Sequence, residues 1–232
     1  MRLSRVRSSR MRLVLLAAAF VALGGEPAAA HHVGAYVPRD NEISANFKQI
    51  KFSIQARKFD VALRLFETGA VRGEMRVQAS RLPGGLEEAT RAALVAGDGP
   101  RSERCLMVFF AALVRDLALD ADRRLAGTKE APAARVAAGQ KFLEAIWRYY
   151  NLVDFAVGQY DPKAAVTVRL AFEEAEGYAR GGKAPGSGAG AEARGVSARA
   201  VTAPDPEKMR EPVQRIARTL SGLIEASITA WR

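Results

Sequence analysis

An all-α fold is predicted, a single bundle-like domain of about six helices with a flexible insertion before the C-terminal helix. Apolar residues recur at steps of three and four along several segments, and clusters of Pro and Gly separate those segments. Residues 141–178, KFLEAIWRYYNLVDFAVGQYDPKAAVTVRLAFEEAEGY, hold the densest aromatic and aliphatic material in the chain, and the other segments are expected to pack around them.

The beginning of the chain reads as a targeting segment. Arg2, Arg5, Arg7, Arg10 and Arg12 precede an apolar run over residues 13–23, and Ala28, Ala29 and Ala30 supply small residues for cleavage. This is the pattern of a secretory signal peptide over residues 1–30. The apolar run is eleven residues long, against the ~20 that a membrane-spanning helix needs. Export to the periplasm is the expected destination.

Cleavage would leave residues 31–232, enough for one domain with a sizeable core. The signal carries five arginines and one glutamate, which account for four of the ten net positive charges, so the remainder is expected at +6. That balance favours anionic partners such as lipid head groups or acidic proteins. Basic residues are scattered among acidic ones with no continuous stripe, which argues against nucleic acid.

After such a cleavage the chain would start at His31-His32, the only two histidines in the sequence. An α-amine beside imidazole nitrogens suits copper or nickel, so His31 and His32 are the candidate metal ligands and copper the candidate cofactor. The competing reading is a frayed polar terminus. A histidine brace needs a further histidine inside the fold, and the chain has none. Cys105, the single cysteine, lies in the apolar run CLMVFFAALV and reads as a buried, inert thiol. No CxxC or CxxCH occurs, which leaves thioredoxin-like redox chemistry and covalent haem without support.

From Tyr36 to Arg39 the chain is expected to be extended, because Pro38 disfavours helix before it. Asp40 or Asn41 can cap a helix in which Ile43, Phe47, Ile50 and Ile54 make the buried stripe, with Lys48, Lys51 and Lys58 facing out. A short helix follows with Phe59, Ala62, Leu63 and Phe66 at helical spacing, ending near Gly69. Residues 73–81 continue as helix up to Pro83-Gly84-Gly85, and residues 86–96 form another before Gly97-Asp98-Gly99-Pro100. Ser102 is the expected cap of a long helix whose core face is Leu106, Phe109, Phe110, Leu113 and Leu117. Its alternating Asp and Arg residues read as a salt-bridged outer face.

Residues 133–157 carry the central helix, with Phe142, Ile146, Tyr149, Val153 and Val157 on one face, widened by Leu143, Tyr150 and Leu152. Asp161 and Pro162 then start a new helix over residues 162–179: the carboxylate accepts from orphan amides, and proline tolerates the first helical position. Glu173, Glu174 and Asp154 are the carboxylates that a hard cation would use, while a di-iron or di-manganese site is disfavoured because no helix carries a histidine. Residues 181–204 are rich in Gly, Ala, Ser and Pro and are expected to form a flexible linker. The last helix falls within residues 205–232 with Val213, Ile216, Leu220, Leu223, Ile224 and Ile228 in its stripe. Pro212 is expected to break it, so that the continuous part starts near Glu211. Docking on the domain formed by residues 31–180 is its expected fate, with capture by another protein as the alternative.

LVDFAV, followed by an acidic helix end, is similar to the periplasmic helical part of bacterial iron permeases. That family's glutamate-rich transport motif is missing, so the resemblance implies no residue roles here. Function is therefore expected to be that of a periplasmic, non-enzymatic accessory or interaction protein, with another periplasmic or membrane protein as partner. The alternative is metal handling, of copper through His31 and His32 or as an accessory of iron uptake. No nucleophile paired with a base is specified by spacing anywhere in the chain.

Overall fold

The computed structural model describes residues 39–181 and 203–229. The chain divides into Met1–Val33 and Gly34–Arg232, and every described residue belongs to the second unit. The described residues form eight helices and no strand: α1 (Glu42–Gln55), α2 (Phe59–Thr68), α3 (Ala70–Val77), α4 (Leu86–Val95), α5 (Gly99–Leu125), α6 (Pro132–Tyr160), α7 (Pro162–Arg180) and α8 (Pro206–Thr229). The all-α expectation holds, and the count exceeds six because the N-terminal half breaks into short pieces at Gly69 and again at Pro83-Gly84-Gly85. Gly85 has φ 78°, a left-handed conformation that glycine adopts without steric cost.

The four long helices make a bundle in the cyclic order α5, α6, α7, α8. Helix α5 packs on α6 and α8, and α7 packs on the same two. Neighbours are antiparallel, as contacts at both ends of the bundle establish. Near one end, Arg210 at the start of α8 pairs with Asp122 at the end of α5, with Nε 2.8 Å from Oδ1. The amide of Asp205 donates to Tyr178 O at 3.2 Å, which puts the entry to α8 against the end of α7. Near the opposite end, Tyr160 on α6 donates its hydroxyl to Ala226 O of α8 at 3.2 Å. Short connections enforce the hairpins: Asp161 alone separates α6 from α7, and its carboxylate accepts from Ala164 N at 2.9 Å.

The core is apolar and continuous. Leu106, Phe109, Phe110, Val153, Val157, Phe172, Ile216 and Leu220 are all essentially inaccessible. Phe110 meets Phe47 edge-on with ring centroids 4.6 Å apart, and Trp147 stacks on Phe172 at 4.8 Å. The buried face of α6 is turned slightly from the expected one: Leu143, Trp147 and Tyr150 are buried, whereas Phe142 and Tyr149 are only partly covered. The four short helices form a side layer, in which α4 packs on α5 and α1 on both α5 and α6.

Local expectations need correction at three places. The helix expected over residues 73–81 runs instead over Ala70–Val77, with residues 78–81 in turns. Asp98, not Ser102, caps α5: its Oδ1 accepts from Arg101 N at 3.0 Å, while Ser102 turns its hydroxyl back to Asp98 O at 2.7 Å. Pro100 in the first turn is compatible with this earlier start, since the amide it lacks belongs to an orphan position. Pro212 does not break α8, which runs unbroken from Pro206. An interior proline costs about 3 kcal/mol, but the first two turns are held by burial of Met209 and Val213 and by ion pairs from Glu207 to Arg135 and from Arg210 to Asp122.

Candidate functional site

Helices α1 and α6 lie side by side on top of α5, tied at one end where Asn41 Nδ2 donates to Tyr149 Oη at 2.8 Å. Asn41 itself is fixed as the cap of α1, accepting from Ser44 N at 2.9 Å while Ser44 Oγ accepts from Asn41 N at 2.8 Å. Beyond Phe47 a cleft of about 300 Å3 opens between the two helices. Helix α1 contributes Phe47, Lys51 and Gln55, one residue per turn along a single line. Helix α5 contributes the buried Leu106 and Met107 and, about one turn earlier, the half-buried Glu103 and Arg104. The α6 wall comprises Leu152, Val153, Ala156 and Tyr160, and Phe155 stands on the lip with 72 % of its surface exposed.

The electrostatics single out two side chains. Lys51 Nζ lies 6.0 Å from the Phe47 ring centroid, and the Arg104 guanidinium carbon 5.3 Å from that of Tyr160. Both are half-buried, and neither has a carboxylate within salt-bridge distance among the described residues. Every other buried or half-buried Lys or Arg there has one: Arg72 with Glu87, Arg115 with Asp116, Arg135 with Glu207, Arg148 with Glu144, Arg169 with Asp154, Arg210 with Asp122 and Arg215 with Glu174. The two exceptions line the same cleft. Glu103, also half-buried, has no ion pair among the described residues, so the cleft's ionisable groups sum to one net positive charge.

Tyr150, Asp154 and Cys105, three other polar groups of the interior, have structural surroundings. Tyr150 donates to Ala165 O at 3.4 Å, and burial, reinforced by the charge and hydrogen bonding of Asp154, pushes its hydroxyl far above the ordinary tyrosine value. Asp154 in turn receives Arg169 Nε at 2.8 Å and is bridged a second time by Arg169 Nη2. Cys105 is fully buried, and burial raises its thiol above the ordinary value, consistent with an inert side chain.

The structure places the expected site residues as follows. His31 and His32 lie outside the described residues. Of Glu173, Glu174 and Asp154, weighed as hard-cation ligands, Asp154 and Glu174 are paired with Arg169 and Arg215, and Glu173 is half-buried on α7. No group of three or more His, Cys, Asp or Glu among the described residues is arranged to hold a metal ion. No described helix is long and apolar enough to cross a membrane.

Lys48 and Lys58 face solvent as expected, but Lys51 does not: it is half-buried in the cleft. One signal for this was present in the sequence, since Lys51 follows Phe47 by four residues and so shares its side of the helix. Arg104 gave no such signal, because its position depends on Tyr160, which arrives from a helix that ends 56 residues later.

No protein-family model matches the chain, and no curated protein or solved structure matches it either.

Proposed function

We propose that this protein is a non-enzymatic accessory protein of the periplasm that works by binding, with the cleft between α1, α5 and α6 as its recognition site. The observation that carries this reading is the convergence of Lys51 and Arg104, two half-buried cations without an ion-pair partner among the described residues, on one apolar recess. Each cation rests on an aromatic ring, and a bound anionic group would add charge-assisted hydrogen bonds to them. Exposed Phe155 adds apolar contact area at the rim, where an occupant would cover it. Export is supported by the arginine-rich, apolar and small-residue sequence of residues 1–30.

The test is a photo-crosslinking amino acid at Gln159, which lines the cleft, compared with one at exposed Leu170 of α7, in cells that export the full chain. A defined adduct from Gln159 that is lost in the Lys51→Glu/Arg104→Glu variant, and never forms from Leu170, supports the reading. Equal labelling from both positions, or an adduct indifferent to the two charges, would remove it. Fractionation of the same cells checks the compartment: a chain retained in the cytoplasm with residues 1–30 intact contradicts export.

A further inference from the structure

We infer that the occupant of this cleft is a single-chain amphipathic anion, an acyl carboxylate or a close chemical equivalent, with its chain against the apolar lining and its head drawn to the cations Lys51 and Arg104. The inference rests on the cleft being the recognition site and names the chemistry that it takes.

Volume is the first argument. At about 300 Å3 the cleft lies at the lower end of the range for small-molecule sites. A helix with its side chains is about 10–12 Å across, so a recess of this size takes at most a few side chains of a docking helix. The backbone of the lining points the same way. Most of the lining comes from the sides of three helices, where amides and carbonyls pair within the helix; Gln55, Gln159 and Tyr160, in last turns, present carbonyls at scattered points and form no strand-like edge. An extended peptide laid on this surface would find no backbone edge to bond to, and each of its own peptide groups buried without a partner would weaken binding. An alkyl chain carries no such groups.

Shape and charge then agree. The line Phe47, Lys51, Gln55 spans eight helical rises, about 12 Å, alongside Leu106, Met107, Leu152 and Ala156. The two cations supply charge-assisted hydrogen bonds to a carboxylate, and Arg104 can engage both of its oxygens. Glu103 limits the charge that fits: with one net positive charge in the cleft, a monoanion is accommodated better than a dianion such as a phosphate monoester.

The experiment uses the purified full chain and four probes: dodecanoate, octanoate and dodecyltrimethylammonium, all below their micelle concentrations, and dodecanol below its solubility limit. Calorimetry measures direct binding, and displacement of Nile red, an uncharged apolar dye, reports occupancy of the cleft. Dodecanoate is expected to bind at one equivalent and displace the dye, at least tenfold more tightly than dodecanol, with no displacement by the ammonium. Octanoate is expected to be weaker by roughly fourfold for each methylene missing from the cleft. The Lys51→Gln/Arg104→Gln variant should lose the preference for carboxylate over alcohol while still binding the dye. Ala156→Trp should block dye and dodecanoate alike; Gln159→Trp, changed at an exposed lip position, does the same job if the first variant melts early.

Dye binding with no advantage of dodecanoate over dodecanol, or an advantage that survives removal of both cations, overturns the acyl-anion inference and leaves the cleft standing as the recognition site. Absence of both dye and dodecanoate binding, or binding that ignores both tryptophan substitutions, overturns the cleft and the inference together.

Discussion

The side-chain amide of Asn46 occupies the space that a Cβ on Gly69 would need. From there Nδ2 donates to Leu65 O at 3.0 Å and Oδ1 accepts from Val71 N at 3.0 Å, so one residue of α1 satisfies the end of α2 and the start of α3 at once. Gly69 has an extended backbone, φ −99° and ψ 172°, so the need for glycine is a matter of space and not of dihedral angle. Asn46→Ala leaves a backbone donor and an acceptor without this partner and should destabilise the protein by about 1–3 kcal/mol. Gly69→Ala should cost a similar amount by forcing the amide away and pressing on Leu65 O. Urea denaturation of each variant checks both values, and an Asn46→Ala loss below about 0.5 kcal/mol would show that water substitutes for the amide.

That pair illustrates what the sequence could and could not reveal. Period and punctuation are local, and they placed most of the helices, a cap at Asp40 or Asn41 that the structure assigns to Asn41, the Asp161-Pro162 start, the burial of Cys105 and the stripe of α8. Asn46 and Gly69 are 23 residues apart, and nothing about an asparagine in a helix announces that it will cap two others. The uninterrupted path through Pro212 was illegible for the same reason, since its stabilising partners Arg135 and Asp122 lie on α6 and α5. The cleft needed three helices to be placed before Lys51 and Arg104 could be seen to share it.

Gly139 on α6 provides a test of how tightly α8 is docked. A Cβ there would lie 2.6 Å from Met209 Cε and 3.0 Å from Leu125 Cδ2, contacts that require those side chains to shift. Gly139→Ala should cost about 1–2 kcal/mol from overpacking, less the helix propensity that alanine restores. Met209→Ala should cost about 2–5 kcal/mol by leaving a cavity. The double variant should be less destabilised than the sum, by about 1 kcal/mol, because the new methyl fills part of the space that Met209 leaves. Additive effects in the cycle would contradict the contact between α6 and α8.

Acid should loosen the same end of the bundle. Hydrogen bonding from Arg135, opposed by burial and assisted by Arg210, holds Glu207 below its ordinary value of 4.5. Lys48 does the same for Asp40 through a hydrogen bond, and Arg72 for Glu87. A carboxyl whose folded pKa lies below its unfolded one binds fewer protons in the folded state, so its contribution is present above the unfolded value and is lost as pH falls through the folded one. Melting temperature should therefore hold from neutral pH to about pH 5 and drop below about 4.5. Glu207→Gln should lower it at pH 7 and narrow the difference between pH 7 and pH 3. Thermal melts across that range read both effects, and an unchanged difference in Glu207→Gln would assign the acid sensitivity to other carboxylates.

Tyr178 O accepts from both Gly181 N, at 3.4 Å, and Asp205 N, at 3.2 Å, so the chain returns to the point it left after the Gly-rich stretch. Spanning that gap needs only a few residues, at up to about 3.5 Å each. Deleting residues 184–201 would leave enough chain to join α7 to α8 without disturbing the Asp205 hydrogen bonds to the amides of Glu207 and Lys208, at 3.0 and 3.2 Å. Residues 182–202 lie outside the described residues; if the stretch is the flexible linker that its composition predicts, closing it costs entropy that grows with the logarithm of its length, and shortening it about fivefold should stabilise the protein by roughly 1–2 kcal/mol. Calorimetry of the deletion variant should give a higher melting temperature, with dye binding in the cleft between α1 and α6 unchanged, since no residue of α7 or α8 lines that cleft. A lower melting temperature would mean that the excised residues make stabilising contacts of their own and would overturn the reading of residues 181–204 as a linker.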